Sequence, residues 1–338
     1  MGLEIGIVGL PNVGKSTLFN ALLKRQVAYV ANYPFATIEP NVGVVPVPDS
    51  RLAILAEVAK TDKIVPATVK FVDIAGLVKG ASQGEGLGNK FLQHIRDVDA
   101  IAMVLRDFSD ENIIRSGSEN PESDRSVLET ELVLADLATA QKIQNTKDKV
   151  LKVLADKIVG GLEKGIPVRE LGFSDEEKIF VKQMGFLTSK PVIIILNVDE
   201  NKLDNSPELK ICAKTEAELS ELTDEEQKEY LKNLGIEKSG LELLIQKGFQ
   251  ILGLQTFLTA GEKEVRAWTI HAGDTAPTAA GVIHTDFEKH FIKADCISFE
   301  DFAEAGGWTK AREKGKVRSE GREYVMREND VVEFKVGV

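Results

Sequence analysis

Cysteine is nearly missing from the 338 residues: Cys212 and Cys296 are the only two, and they lie far apart. A fold stapled by disulfides is therefore excluded. A reduced cytoplasm is the simplest setting, with one regulatory disulfide as the alternative. Positive charge is also in short supply. The 42 Lys and Arg face 53 Asp and Glu, a net charge of −11. A protein that coats DNA regardless of sequence needs a basic face, so that class is excluded, whereas a local basic patch meeting RNA is not. The longest apolar runs are far too short to span a bilayer, and the chain enters a strand almost at once, so neither a membrane span nor a signal peptide is expected. Histidine is sparse as well. His271, His284 and His290 lack metal-ligand spacing with Cys296, which excludes a zinc site. What remains is ordinary globular composition, with length for two or three domains.

Against that background one stretch stands out. Gly9-Leu10-Pro11-Asn12-Val13-Gly14-Lys15-Ser16-Thr17 is the phosphate-binding loop G-x-x-x-x-G-K-[ST]. Its flanks are those the motif requires: an apolar run from Leu3 to Val8 that suits a buried parallel strand, and a helical pattern from Lys15 to Leu23. The glycines let backbone N–H groups reach phosphate oxygens, and the helix N-terminus adds its positive dipole end. Lys15 is placed for the β- and γ-phosphates, and the Ser16 hydroxyl for Mg²⁺.

Two further segments fit a nucleotide switch. Thr37 lies between prolines after the first helix, where such switches close a threonine on Mg²⁺ and the γ-phosphate; a β-strand threonine is the alternative. Asp73-Ile74-Ala75-Gly76 is D-x-x-G at the end of an expected strand, Ala67 to Val72, which sets a carboxylate near the metal and the Gly76 N–H near the γ-phosphate. Five glycines between Gly76 and Gly88 mark a second switch segment. Small GTPases carry a water-orienting glutamine directly after the D-x-x-G glycine. Leu77 stands there instead, so unassisted turnover is expected on the order of 10⁻² s⁻¹ or less.

An apolar strand is expected at Ala100 to Leu105, and the next only at Pro191 to Leu196. A crossover needs about a dozen residues, so the gap holds an insertion. Ile113 to Arg125 reads as loop. Val127 to Gln144 and a second helix bearing Leu151, Leu154, Ile158 and Leu162 read as a helical hairpin or short coiled coil. A third helix begins at Ser174, with Glu177 completing a capping box. Between Lys142 and Arg169 seven basic residues face three acidic ones. This run is either an arm for RNA phosphate or a solvated helix face.

The base end departs from the guanine-binding pattern N-K-x-D. Asn197-Val198-Asp199-Glu200 replaces the lysine by Val198 and the aspartate by Glu200. Leaving a buried polar edge unpaired costs about 1–3 kcal/mol, roughly a 5- to 150-fold loss of preference. ATP is therefore expected to bind at least as well as GTP. Ile211-Cys212-Ala213-Lys214 matches the loop that backs the base. Beyond about Leu258 the pattern changes to short strands (Val265 to His271, Gly281 to His284, Val331 to Val336) with a helix at Asp286 to Ile292. A second basic run, Lys310 to Arg322, is another candidate RNA contact or a solvated loop.

These motifs together resemble the YchF family of Obg-related P-loop ATPases, whose eukaryotic relatives are the Obg-like ATPases. The resemblance is carried by Gly9 to Ser16, Asp73-Ile74-Ala75-Gly76-Leu77-Val78-Lys79-Gly80-Ala81, Gly84-Glu85-Gly86-Leu87-Gly88-Asn89, Asn197 to Glu200, and His284-Thr285-Asp286-Phe287-Glu288-Lys289. It implies an α/β protein. A P-loop G domain of mostly parallel sheet with helices on both faces would cover 1–258, interrupted by a helical coiled-coil insertion at 112–186. A C-terminal β-grasp (TGS) domain would cover 261–338. It implies an ATPase acting at the ribosome, with the large subunit and ribosomal RNA as partners, and neither DNA nor membrane. The implied ATP-binding set is Asn12, Val13, Gly14, Lys15, Ser16 and Thr17 at the phosphates, with Asn197, Val198, Glu200, Cys212 and Ala213 at the base. Lys15, Asp73 and Gly76 would serve catalysis, and Ser16 and Thr37 would hold Mg²⁺. Asn12 matches an asparagine that helps hold K⁺ in potassium-dependent relatives. Where relatives carry a histidine after the fourth strand, this chain has Arg115. The expectation is a slow Mg²⁺-dependent ATPase switch in the cytoplasm. A GTP-dependent switch and a nucleotide-gated binding module with incidental hydrolysis are the alternatives.

Overall fold

The apolar runs become two sheets. A computed structural model describes residues 3–32, 41–74, 87–110 and 119–337. Thr37, Gly76, Leu77 and Arg115 lie outside them. Along the chain the strands are β1 (Glu4–Val8), β2 (Val42–Pro46), β3 (Ile64–Val65), β4 (Thr68–Asp73), β5 (Ala100–Asp107), β6 (Val192–Val198), β7 (Lys210–Ile211), β8 (Leu254–Ala260), β9 (Val265–His271), β10 (Phe291–Ser298), β11 (Arg318–Glu320) and β12 (Asp330–Val336). The chain divides into two compact units: Met1–Val45 with Lys70–Leu252, and Pro46–Val69 with Gly253–Val338.

The first unit is built on a sheet of order β2-β4-β1-β5-β6-β7. The pairs β1–β4, β1–β5, β5–β6 and β6–β7 are all parallel. Parallel strands covered on both faces read as continuous apolar runs, and β5 is buried over its first seven residues. The helix Gly240–Ile251 lies so close to the sheet that a side chain at Gly248 would meet Ile5 Cδ1 at 2.7 Å. Leu18 and Leu22 of the helix Lys15–Asn32 are fully buried, which fixes the start of that helix beside the end of β1.

The insertion holds the expected helices with one correction. Residues after about 119, taken from sequence as loop, are helical: the first helix runs Pro121–Gln144. Asn120 caps it by accepting from the Ser123 N–H, and proline occupies its first turn, where a missing N–H does no harm. The second helix, Lys149–Leu162, is capped by Asp148, and the third, Asp175–Met184, by the Ser174–Glu177 box. Val133, Ala140, Leu154, Ile158, Leu162, Val181 and Phe186 form an apolar core of their own. Buried Asp136 ties this group down. Its carboxylate accepts from Leu187 N (2.8 Å), Thr188 N (2.7 Å) and Thr188 Oγ1 (2.7 Å).

The second unit carries a mixed sheet of order β11-β10-β12-β8-β9-β3. Its boundary differs from the linear division in two places. β8 begins at Leu254, directly after Gly253, whose φ of +67° ends the preceding helix, so the strand straddles the expected border near Leu258. Residues 46–69 also join this unit, and Arg51 shows why. Its guanidinium donates to Glu328 O (2.9 Å), Asn329 Oδ1 (2.8 Å) and Thr256 Oγ1 (3.0 Å), while Asp49 braces it. Two local expectations fail here. Gly281 to His284 is not a strand but mostly the end of a helix, Ala276–Ile283, which starts with a proline in its first turn and buries Ala276, Ala279 and Ala280. The helix expected to Ile292 stops at Lys289, because Phe291 opens β10. Among the described residues no helix is long and apolar enough to cross a membrane.

Candidate nucleotide site

β1 ends at Val8, and the loop that follows turns through Asn12 at φ 64° and Gly14 at φ 97°. Both are left-handed conformations, which glycine and asparagine tolerate best. A side chain at Gly14 would collide with the Asn197 amide. The loop thus delivers Ser16 and Thr17, both exposed, at the head of the helix Lys15–Asn32.

Lys15 and Asp73 form the charged centre of the phosphate end. Lys15 Nζ donates to Leu10 O at 3.2 Å. Burial holds its pKa below the ordinary lysine value, and the Asp73 charge opposes that shift. Asp73 ends β4. Burial raises its pKa, and the Lys15 charge opposes that. In both groups desolvation outweighs mutual attraction, so each is short of counter-charge. Asp73 Oδ1 is buried with no hydrogen-bond partner among the described residues. A hydrated divalent cation beside Ser16 is the kind of group that would satisfy that oxygen.

A cleft of about 710 Å³ opens along the loop and past the ends of β5 and β6. Asn12, Gly14, Lys15, Ser16 and Thr17 line one end, and Asn197, Val198, Glu200, Cys212 and Ala213 line the other. Val13 is buried beneath, 2 % exposed. The predicted phosphate and base residues are therefore brought to one cavity, as the rule for crevices at the carboxyl ends of parallel strands requires. Asn197 joins the two ends. Its Nδ2 donates to Val13 O (2.8 Å) and its Oδ1 accepts from Ala213 N (3.0 Å). Val198 is 1 % exposed, a core residue at the cleft edge. The Glu200 carboxylate is held by one oxygen: Oε1 accepts from Thr215 Oγ1 at 3.0 Å and from Tyr230 OH at 2.7 Å. That bond pushes the Tyr230 phenol up to about 12, so the hydroxyl remains a donor at neutral pH. Asp199, also on the cleft wall, accepts from Ser109 N at 3.1–3.2 Å.

Sequence reasoning missed three residues here. Phe108 lines the cleft, with the Arg106 guanidinium 4.4 Å above its ring; its place just past β5 was the signal that could have found it. Thr215 lies two residues beyond Ala213. Tyr230 comes from the helix Asp224–Leu234 and had no local signal.

The two basic runs differ from the simple picture. In the insertion, Lys157 pairs with Glu177 at 3.1 Å and Arg169 with Glu129 at 2.6 Å, whereas Lys142, Lys147, Lys149, Lys152 and Lys164 are exposed. In the run Lys310 to Arg322, Arg312 pairs with Glu333, Lys316 with Asp301 and Arg318 with Asp330. Arg322 donates to Phe291 O. Most of that second run holds its own unit together.

Comparison with known proteins agrees with the geometry. A family profile described as 50S ribosome-binding GTPase matches residues 4–157, and the profile of the YchF-GTPase C-terminal region, described as of unknown function, matches 254–337. The chain is 49 % identical over 364 residues to the ribosome-binding ATPase YchF of Escherichia coli O157:H7, covering all of both chains. It is 47 % identical over 367 residues to the protein of the same name from Bacillus subtilis, again over the whole of both. The chain belongs to the YchF family. Its fold matches the solved structure of the Schizosaccharomyces pombe YchF GTPase with a TM-score of 0.87 at 37 % identity, covering 99 % of this chain and 98 % of that one. The first unit is accordingly a P-loop G domain, and the YchF C-terminal region follows it. The relatives' names divide between ATPase and GTPase.

Proposed function

We propose that this protein is a slow, Mg²⁺-dependent ATP hydrolase that works as a nucleotide-controlled switch on the ribosome. The observation that carries the proposal is the desolvated Lys15–Asp73 pair at the head of a cleft whose base end holds Glu200 in place of aspartate. Lys15 would stabilise charge on the transferring phosphoryl group. Ser16, with Thr37, would hold Mg²⁺, and the orphaned Asp73 oxygen fits its water shell. The ion, when bound, would neutralise charge on the β- and γ-phosphates. Gly76 would sense the γ-phosphate, Asn12 would help place K⁺, and Asn197, Val198, Cys212 and Ala213 would frame the adenine. The ribosome-binding names of the relatives support a ribosomal partner, and the 50S description of the matching profile supports the large subunit. The C-terminal unit, with its mixed sheet, would be the TGS domain, and the helices between about 112 and 186 the inserted arm.

The test is ATP turnover by the purified protein with and without 70S ribosomes and K⁺, beside Lys15→Ala. Stimulated hydrolysis that Lys15→Ala abolishes is the expected result. Turnover that neither ribosomes nor K⁺ change, and that Lys15→Ala retains, contradicts it and favours a binding module with incidental hydrolysis. For the ribosomal contact, reversing Lys142, Lys149 and Lys152 together should weaken co-sedimentation and flatten its salt dependence, because each lost phosphate contact removes about 0.7–0.9 from the log–log slope. Unchanged sedimentation removes the arm from the contact.

A further inference from the structure

We propose that Tyr230 and Thr215 form a positioning clamp that sets purine choice by occupying one of the two Glu200 oxygens a guanine would need. The proposal rests on the reading above, in which Glu200 faces the base.

A carboxylate oxygen has two acceptor sites. At Glu200 Oε1 both are taken, one by Thr215 Oγ1 at 3.0 Å and one by Tyr230 OH at 2.7 Å. Thr215 is 3 % exposed and Tyr230 packs into a small cluster around Leu219, Leu231 and Ile236, so neither hydroxyl swings away freely. Oε2 is the oxygen left for a ligand. The chemistry of the bases then decides. Guanine offers two donors side by side, N1–H and the 2-amino group, and a carboxylate reads them with both oxygens. Adenine offers one donor on that edge, its 6-amino group, and needs one oxygen. Hypoxanthine offers N1–H without the 2-amino group and also needs one. The clamp therefore penalises the guanine 2-amino group specifically, which replacing aspartate by the longer glutamate would not do by itself.

The test is displacement of labelled ATP by ATP, GTP and ITP in Mg²⁺, using the full chain. In the unaltered protein ITP should displace at a lower concentration than GTP, by roughly 5- to 150-fold, the consequence of one unpaired buried donor. In Thr215→Val/Tyr230→Phe both sites on Oε1 are released, and the ITP–GTP gap should close to about threefold or less, read as a ratio within the variant so that any change common to all three nucleotides cancels. Tyr230→Phe alone removes only a partly exposed hydroxyl and should narrow the gap in the same direction, so it carries the test if the double variant does not fold. An ITP–GTP gap that is absent from the unaltered protein, or that persists in the variants, overturns the clamp and leaves the ATP preference standing. GTP binding tighter than ATP in the unaltered protein overturns the adenine pocket and the clamp together.

Discussion

The two ends of the nucleotide cleft are made differently. At the phosphate end the working groups come from one contiguous stretch, Gly9 to Thr17, with Asp73 added from the strand beside it. They are short of partners: Lys15 reaches only a loop carbonyl and Asp73 Oδ1 reaches nothing among the described residues. At the base end the groups are heavily engaged. Asn197 spends its amide on Val13 and Ala213, and Glu200 spends one oxygen on Thr215 and Tyr230. The contrast is that of a site awaiting charge and a site already shaped. Affinity should reside in the first and selectivity in the second.

Breaking the phosphate end should have the largest effect. Lys15→Met should lower ATP turnover by about 10²–10³-fold, the usual consequence of losing one preorganised charge at a developing anion, as measured by single-turnover hydrolysis. At the base end, Val198→Lys with Glu200→Asp should shift the ATP-to-GTP affinity ratio toward GTP by roughly 5- to 150-fold. An unmoved ratio would place selectivity elsewhere, with Phe108 the next residue to alter. Asn197→Ala tests the link between the ends. It strands Val13 O and Ala213 N, so chemical denaturation should show a loss of about 1–3 kcal/mol, with weaker nucleotide binding as a consequence.

The smallest effect is expected from pH. The folded Asp73 carboxyl titrates above its ordinary 3.8 because burial disfavours its charge. The folded state thus binds this proton more tightly than the unfolded chain does. The resulting stability is present below the ordinary carboxylate range and is lost as pH rises through the raised value. In nucleotide-free protein Asp73→Asn should be slightly more stable than the parent above that range, and the advantage should vanish toward pH 3. Melting curves across pH check this, and Mg²⁺ with ATP should reverse the order.

The same contrast explains what could be read from the chain. The phosphate loop's motif is local, Gly9 to Thr17 between adjacent strand and helix patterns, so its strand, turn and helix were legible together, whereas the distant Asn197 bond to Val13 O was not. The Ser174 cap was legible for the same reason, its partner being three residues away. Tyr230 meets Glu200 across 30 positions, and Arg51 meets Glu328 across 277. No periodicity carries such pairings, which is why the sequence reading kept residues 46–69 within 1–258, whereas they pack with Gly253–Val338. The start of the helix Pro121–Gln144 and the whole of the helix Ala276–Ile283 were missed for a different reason. Their start signals, Asn120-Pro121 and Thr275 with Pro277, were present, but the polar or alanine-rich composition hid the apolar stripe. In the second basic run, charge counted from sequence looked like a ligand surface, whereas Asp295, Asp301, Asp330 and Glu333 neutralise much of it from elsewhere in the same unit.

The most direct measurement is an equilibrium titration of the purified protein with labelled ATP, competed by unlabelled ATP and GTP in Mg²⁺ and K⁺. A phosphate end that binds either nucleotide and a base end shaped against guanine predict that ATP equals or beats GTP. A hundredfold advantage for GTP would contradict the shaping of the base end and return the protein to the GTP-dependent switches.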